Sequence, residues 1–250
     1  GPGGRVWRHG GRSGDDLRAG AVTSGLSGTP ATVHTPAGTL AVRSPLVGAH
    51  NLENLLSAAG LALALDLPAD AVARALSACP GAPGRLERFA AGGVSVFVDY
   101  AHTDDALARA LEALRTLAPR RLACVFGCGG DRDRGKRPLL GEAAGRRADL
   151  VVVTSDNPRS EDPAAIIADV LPGVERAGLR RLSAAEASRG ERGFVVEPDR
   201  RAAIALAVSC AREGDAILLA GKGHEEAQLI GRQRLPFSDR EEARRALGIA

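Results

Sequence analysis

Methionine is absent from this 250-residue chain, and aromatic residues are nearly so: one Trp, one Tyr and five Phe. A core built from it must rely on small and branched aliphatic side chains packed close to the backbone. No run of 18 apolar residues occurs, which excludes a helix spanning a bilayer by length alone. No signal-peptide pattern opens the chain either, so a soluble, cytoplasmic protein without membrane insertion is expected. Cysteine is scarce too. Cys124 and Cys128 lack a second pair or a nearby His to complete a metal set, and Cys79 and Cys210 fall on helical patterns. The four read as reduced, mostly buried thiols rather than a disulfide framework. Charge of one sign is lacking as well: 33 Lys and Arg against 30 Asp and Glu leave +3, gathered into no basic block, which gives nucleic-acid binding no electrostatic support. No P-loop ending in Gly-Lys-[Ser/Thr] and no Gly-x-Gly-x-x-Gly fingerprint is found.

What is present is apolar content of 44%, enough for a chain of this length to bury a substantial core. The first 19 residues, rich in glycine and without apolar period, read as a flexible or non-native lead-in. Residues 21–47 carry short β-type runs, ATVHTP and GTLAVRSPLV, around Ala37-Gly38, a hairpin signature. Residues 51–65 have helical spacing and almost no charge, which predicts a buried helix; a second helix opens at Pro68 and runs to about Ala78. The stretch CPGAPGR (79–85) reads as a linker. The division expected is therefore a lead-in over 1–19, the end of one α/β domain over 20–80 and a second domain over 81–250. Beyond the linker, apolar strands at 94–100, 121–126, 149–155 and 215–221 alternate with helices at 104–117, 138–147, 163–171 and 199–212. A short strand at 194–196, a hairpin around Gly231 and a final helix from Asp239 complete the pattern. Continuous apolar strands alternating with helices predict a mostly parallel, Rossmann-like sheet covered on both faces. Ligands of such α/β folds bind beyond the carboxyl ends of the strands.

Every unusual polar cluster falls at one of those ends. Strand 94–100 runs into Asp99-Tyr100-Ala101-His102-Thr103, where Asp99 and Thr103 suit helix capping, or the Asp99 carboxylate and His102 imidazole suit a ribose hydroxyl or phosphate. Strand 121–126 runs into GCGGDRDRGKR, three glycines followed by Arg132, Arg134, Lys136 and Arg137, donors for carboxylate or phosphate. The stretch VVVTSDNPRSEDP (151–163) leaves its strand with an acid, an amide, a proline and an arginine. Strand 215–221 ends in Gly221-Lys222-Gly223-His224-Glu225. Guanidinium groups beside a glutamate suit a zwitterionic amino acid, cation to its carboxylate and anion to its ammonium.

Six motifs, in order, also resemble a known family. Gly48-Ala49-His50-Asn51 with Asn54, Gly84-Arg85-Leu86-Glu87, Val98-Asp99-Tyr100-Ala101-His102-Thr103, Phe126-Gly127-Cys128-Gly129-Gly130-Asp131-Arg132-Asp133, Asp156-Asn157-Pro158-Arg159 and Gly221-Lys222-Gly223-His224-Glu225 are similar to the C-terminal part of the Mur ligases. The branch they resemble adds the third residue of the peptidoglycan stem. The resemblance implies that 20–80 ends a central ATPase domain and that 81–250 is a whole amino-acid-binding domain. It implies an enzyme that uses ATP with Mg²⁺ to form an acyl phosphate on UDP-N-acetylmuramoyl-L-Ala-D-Glu, which the amine of meso-diaminopimelate then attacks. By the same resemblance Asn54, Arg85, Asp99 and His102 serve ATP, while Arg132, Asp156, Asn157, Arg159, Gly221 and Glu225 hold meso-diaminopimelate. Asp104 stands where the family has proline, a benign change at a helix start. The P-loop, the metal-binding segment and the UDP-binding domain are missing, so a fragment inactive by itself is expected. The alternatives are a non-catalytic binding module and a related ligase that adds another amino acid.

Overall fold

The computed structural model describes residues 6–10, 14–117 and 119–249. They form two compact units, residues 1–81 and 82–250.

In the first unit, β1 (His9–Gly10), β2 (Leu17–Val22), β3 (Thr29–Thr35) and β4 (Gly38–Ser44) form a sheet in that order. Strands β1 and β2 run parallel; β2–β3 and β3–β4 are antiparallel. The hairpin read from Ala37-Gly38 is β3–β4, with Thr35 opposite Gly38. Helices α1 (Ala49–Ala64) and α2 (Ala69–Ala78) cover one face, and Leu17, Val33, Leu40, Val42, Leu55, Leu56, Leu63 and Val72 form the core between. Two expectations fail here. The lead-in does not extend to residue 19: β2 starts at Leu17, which is buried, and Asp16 accepts a hydrogen bond from Arg8 N at 2.9 Å. One apolar residue in a polar stretch shows no period, and only the paired strand gives it a partner. Helix α1 is not buried all round, since Leu61 on its outer side is 70% exposed. Low charge removes the mark of a solvent face without removing the face.

The second unit is three-layered. Its strands are β5 (Glu87–Ala91), β6 (Val94–Asp99), β7 (Leu122–Phe126), β8 (Leu150–Val153), β9 (Gly193–Val196) and β10 (Ala216–Ala220), in sheet order β5-β6-β10-β7-β8-β9. Only β5 is antiparallel to its neighbour. Every residue of β7, β8 and β10 is buried, which is why these runs carry no alternation in sequence. Val96, Val98, Val125, Val152, Ile217 and Leu219 pack against α7 (Arg200–Ser209) and α8 (Asp239–Leu247). Their alternates Phe97, Cys124, Val151 and Leu218 are equally buried on the opposite face, beside α3 (Asp104–Arg115), α4 (Arg137–Arg147) and α5 (Pro163–Arg176). Burial of each such side chain stabilises the unit by about 1.5–3 kcal/mol before entropy is counted.

Helix α5 continues five residues past the 163–171 expected, straight through Pro172. Gly173 follows it, and a Cβ there would collide with the Pro138 carbonyl, so close packing of α5 on α4 holds the helix across the lost N–H. Strand β5 and the short α6 (Ala184–Arg189) were not foreseen. A Ser183–Glu186 capping box opens α6, and it holds the Glu186 carboxyl at about 2 through the Ser183 amide and hydroxyl and Arg180. The hairpin at Gly231 is β11 (Ala227–Ile230) with β12 (Gln233–Pro236). No helix among the described residues is long and apolar enough to cross a membrane.

Candidate functional site

Strand β10, late in the chain, inserts between β6 and β7, so the loops leaving β6, β10, β7 and β8 lie side by side at one sheet edge. This is the switch point at which α/β sheets bind ligands. A cavity of about 340 Å³ opens there, lined by His102, Arg132, Asp156, Asn157, Arg159, Gly221 and Glu225, with Tyr100, Cys128, Lys136 and Arg137 among their neighbours. All six residues assigned to diaminopimelate, and one of the four assigned to ATP, therefore line a single cavity.

The backbone of this edge is strained where it turns. Four described non-glycine residues have positive φ; Asp131 (55°) and Arg159 (51°) belong to these loops, and Leu86 (45°), just before β5, is bonded to Asp99 at the end of β6. Arg159 is clamped by the β11–β12 hairpin: its N–H donates to Leu229 O at 3.0 Å, and its carbonyl accepts from Gly231 N at 2.6 Å. A Cβ on Gly130 would land on the Pro158 carbonyl oxygen, so the β7 and β8 loops meet at backbone distance. The guanidinium of Arg159 then donates to Gly130 O at 2.8 Å.

The same cavity also has acidic lining. Asp156 is 9% exposed and Asn157 is 4% exposed, while Glu225 is more open. Asn157 Nδ2 donates to Glu225 Oε2 at 2.9 Å, and Asn157 Oδ1 accepts from Leu229 N at 3.0 Å. Gln228 donates to the Asp156 carbonyl at 2.7 Å. Gly221 has φ 113°, beside the Asp156 carboxylate.

The basic loop after β7 is divided in its use. Arg132 and Lys136 line the cavity. Arg137 also borders the cavity, but it is 2% exposed and held by Glu161 at 2.7 Å and Asp169 at 2.9 Å, and Arg134 also pairs with Asp169. The sequence reading offered Arg134 and Arg137 as ligand donors; the fold employs both in tying the start of α4 and the turn before it to α5 and the loop leading into α5. The Arg137 hydrogen bond, with the Asp131 N–H, holds the Glu161 carboxyl down at about 2. Burial pushes the Cys128 thiol up to about 12, so it lines the cavity as a neutral group.

Of the residues assigned to ATP, Arg85 lies over the Tyr100 ring at 5.1 Å, and the His102 ring stands edge-on to the same ring at 4.7 Å. Thr103 is a helix cap, its hydroxyl accepting from Ala106 N at 3.2 Å. Asp99 caps no helix; it accepts from Leu86 N at 2.8 Å and Ala101 N at 2.9 Å and so fixes the turn around Tyr100. Asn54 sits on α1 of the first unit, donating to Asn51 Oδ1 at 3.3 Å. No group of three or more His, Cys, Asp or Glu side chains among the described residues is placed to hold a metal. The Mg²⁺ that the resemblance implies therefore has no fitting ligand set among them.

The sequence reading missed Lys222. It is fully buried beneath the cavity, 2.9 Å from Asn157 Oδ1 and 2.9 Å from Ala227 O. Its position between two glycines suggested an exposed turn, and no local signal marks it as internal.

The fold and cavity define a doubly wound α/β domain whose switch-point site is lined by both cationic and anionic side chains. The family model for the "Mur ligase, glutamate ligase domain" matches residues 84–223, and the chain belongs to that family. The chain is 49% identical over 229 residues to the UDP-N-acetylmuramoyl-L-alanyl-D-glutamate–2,6-diaminopimelate ligase of Geobacter metallireducens, covering 90% of this chain and 45% of that protein. It is 45% identical over 246 residues to the ligase of the same name from Thermosynechococcus vestitus, covering 97% and 47%. A solved structure of a ligase of that name superimposes with a TM-score of 0.73 at 38% identity, over 95% of this chain and 46% of the other. A folylpolyglutamate synthase from Mycobacterium tuberculosis matches with a TM-score of 0.58 at 23% identity, a likeness of fold alone. The chain thus spans about half the length of the curated relatives it matches.

Proposed function

We propose that this chain carries the amino-acid-binding part of an ATP-dependent ligase that joins meso-diaminopimelate to UDP-N-acetylmuramoyl-L-Ala-D-Glu. The observation that carries the reading is one cavity at the switch point lined by both signs of charge: Arg132 and Arg159, which come together beside Gly129, and Asp156 and Glu225, which come together at Lys222. The distal centre of diaminopimelate bears a carboxylate and an ammonium on one carbon. Guanidinium groups suit the first by paired, charge-assisted N–H donation, and the acidic wall suits the second. Lysine carries only the ammonium at its end and would leave the arginines unmatched.

In the reaction proposed, ATP phosphorylates the dipeptide carboxyl and the amino group of the bound amino acid displaces phosphate. The residues of this chain contribute by holding the incoming amino acid so that its reactive amine is presented rather than free to tumble. Arg85, His102 and Asn54 are proposed to serve ATP, with Asp99 shaping the turn that carries Tyr100. The cytoplasm, where nucleotide-linked precursors and ATP are available, is the proposed compartment.

Calorimetric titration of the chain with meso-diaminopimelate and with lysine tests the reading. Preference for meso-diaminopimelate by about tenfold or more, roughly 1.4 kcal/mol, is expected. Equal affinity for the two, or binding of neither by the folded chain, would overturn it.

A further inference from the structure

We infer that Lys222 is a positioning residue for specificity, a buried cation that sets which atoms of the acidic wall face the ligand. The inference rests on the amino-acid reading of the cavity and deepens it. Lys222 Nζ has three protons, and the protein engages all of them: Asn157 Oδ1 at 2.9 Å, Ala227 O at 2.9 Å and Glu225 Oε2 at 3.4 Å. The Phe237 ring lies 5.9 Å from the same nitrogen. With the side chain fully buried, the ammonium has no donor left for a ligand and acts through its neighbours.

Its effect on Asn157 is definite. Oδ1 accepts from both Lys222 Nζ and Leu229 N, so the amide has one orientation, and Nδ2 is aimed at Glu225 Oε2. Glu225 Oε2 is thereby occupied by two donors, which leaves Oε1 for a ligand ammonium. Asp156 Oδ1 lies 3.3 Å from Lys222 Nζ without the alignment of a hydrogen bond and is itself buried, so only the rest of this side chain, 12% exposed, is open to a ligand. In charge, two carboxylates around one ammonium leave a single negative charge on this wall. One ligand ammonium balances it. Without Lys222 the wall would carry a second negative charge and lose the group that orients Asn157. A bare cation would then gain relative to a zwitterion, and a ligand ending in a carboxylate alone would be repelled.

Three ligands separate this role from a merely structural one: meso-diaminopimelate, lysine (distal ammonium only) and 2-aminopimelate (distal carboxylate only). The wild-type chain is expected to bind meso-diaminopimelate best. In Lys222→Met, meso-diaminopimelate affinity should fall about tenfold or more, and the lysine to 2-aminopimelate affinity ratio should rise by a similar factor. Lys222→Arg keeps the charge and should keep the wild-type order, even where every affinity weakens. A folded Lys222→Met chain that loses all three ligands by one common factor, or that keeps the wild-type ratios, overturns the role of Lys222 alone. A wild-type chain that binds none of the three strikes instead at the amino-acid reading. Should Lys222→Met not fold, ¹⁵N spectra of wild-type lysine side chains decide. Lys222 ammonium protons in slow exchange, before and after meso-diaminopimelate is added, support the inference; fast exchange with water overturns it.

Discussion

Two buried cations stand near the carboxyl end of β10, and they are used differently. Arg200, on α7, is wholly buried with Asp239, itself 0% exposed, bound through Nε at 2.8 Å and Nη2 at 2.6 Å, and it also donates to the Ala220 carbonyl. One cation meets one anion. Burial alone would lower the Arg200 pKa, but the bound Asp239, with the more distant charges of Asp156 and Glu225, outweighs it and raises it. Lys222, two residues beyond that carbonyl, meets Asp156 and Glu225 together. The first cluster is neutral and closed, and it ties α7 and α8 to the sheet. The second carries excess negative charge and borders a cavity. A balanced buried pair marks architecture, whereas an imbalance beside a cavity marks a place where the ligand supplies the missing charge.

The comparison can be broken most sharply at Arg200. Arg200→Met leaves Asp239 buried and uncompensated, and should lower stability by about 3–5 kcal/mol in urea unfolding. Arg200→Met with Asp239→Leu should recover most of that loss, since no lone charge remains. Substitution on the open cluster should have the opposite profile. Glu225→Gln should reduce meso-diaminopimelate affinity about 10–100-fold by calorimetry, from the loss of a charge-assisted hydrogen bond, with little change in the unfolding midpoint. If Glu225→Gln instead destabilises the fold and spares binding, the two clusters are of one kind.

A smaller effect is expected from acid. The Glu161 carboxyl lies at about 2 in the folded chain against an ordinary 4.5, because Arg137 and the Asp131 N–H favour its charged form. A depressed folded pKa gives stability that is complete above 4.5 and is lost as pH falls toward 2. Unfolding midpoints should therefore decline through that window, and Glu161→Gln should make the decline shallower. Asp169, also held low by Arg137, accounts for part of what remains. The smallest effect belongs to the surface. Arg109 and Asp105 pair at 2.9 Å on α3 with side chains about three-quarters exposed, and Arg109→Ala should shift stability by under about 0.5 kcal/mol.

Much of this was legible beforehand, and the failures have a pattern. The β7, β8 and β10 runs were plain because strands buried on both faces must be continuously apolar. The 94–99 strand with its DYAHT end, and the DNPR loop, were plain because their polar residues interrupt such runs abruptly. Strand β5 was missed because ERFAA pairs at an edge and only Phe89 of its five residues is buried. Arg134 and Arg137 were taken for ligand donors because a basic loop gives no sign of which cations meet Glu161 and Asp169, some 24 to 35 residues away. Lys222 was passed over for the same reason: its partners Asn157 and Asp156 lie more than sixty residues earlier.

The sequence by itself determined the parallel sheet, the side of it on which chemistry gathers, and the residue types that meet there, because apolar periodicity and strand-end polarity are local properties. Tertiary structure alone decided how each charge is used. Insertion of β10 between β6 and β7 set Lys222 under the DNPR loop, while packing of α4 on α5 closed Arg137 into an ion-paired network and Arg132 and Arg159 line the cavity. Whether a charge stabilises the fold or awaits a ligand depends on its burial and its partners, and both come from segments far away in the chain.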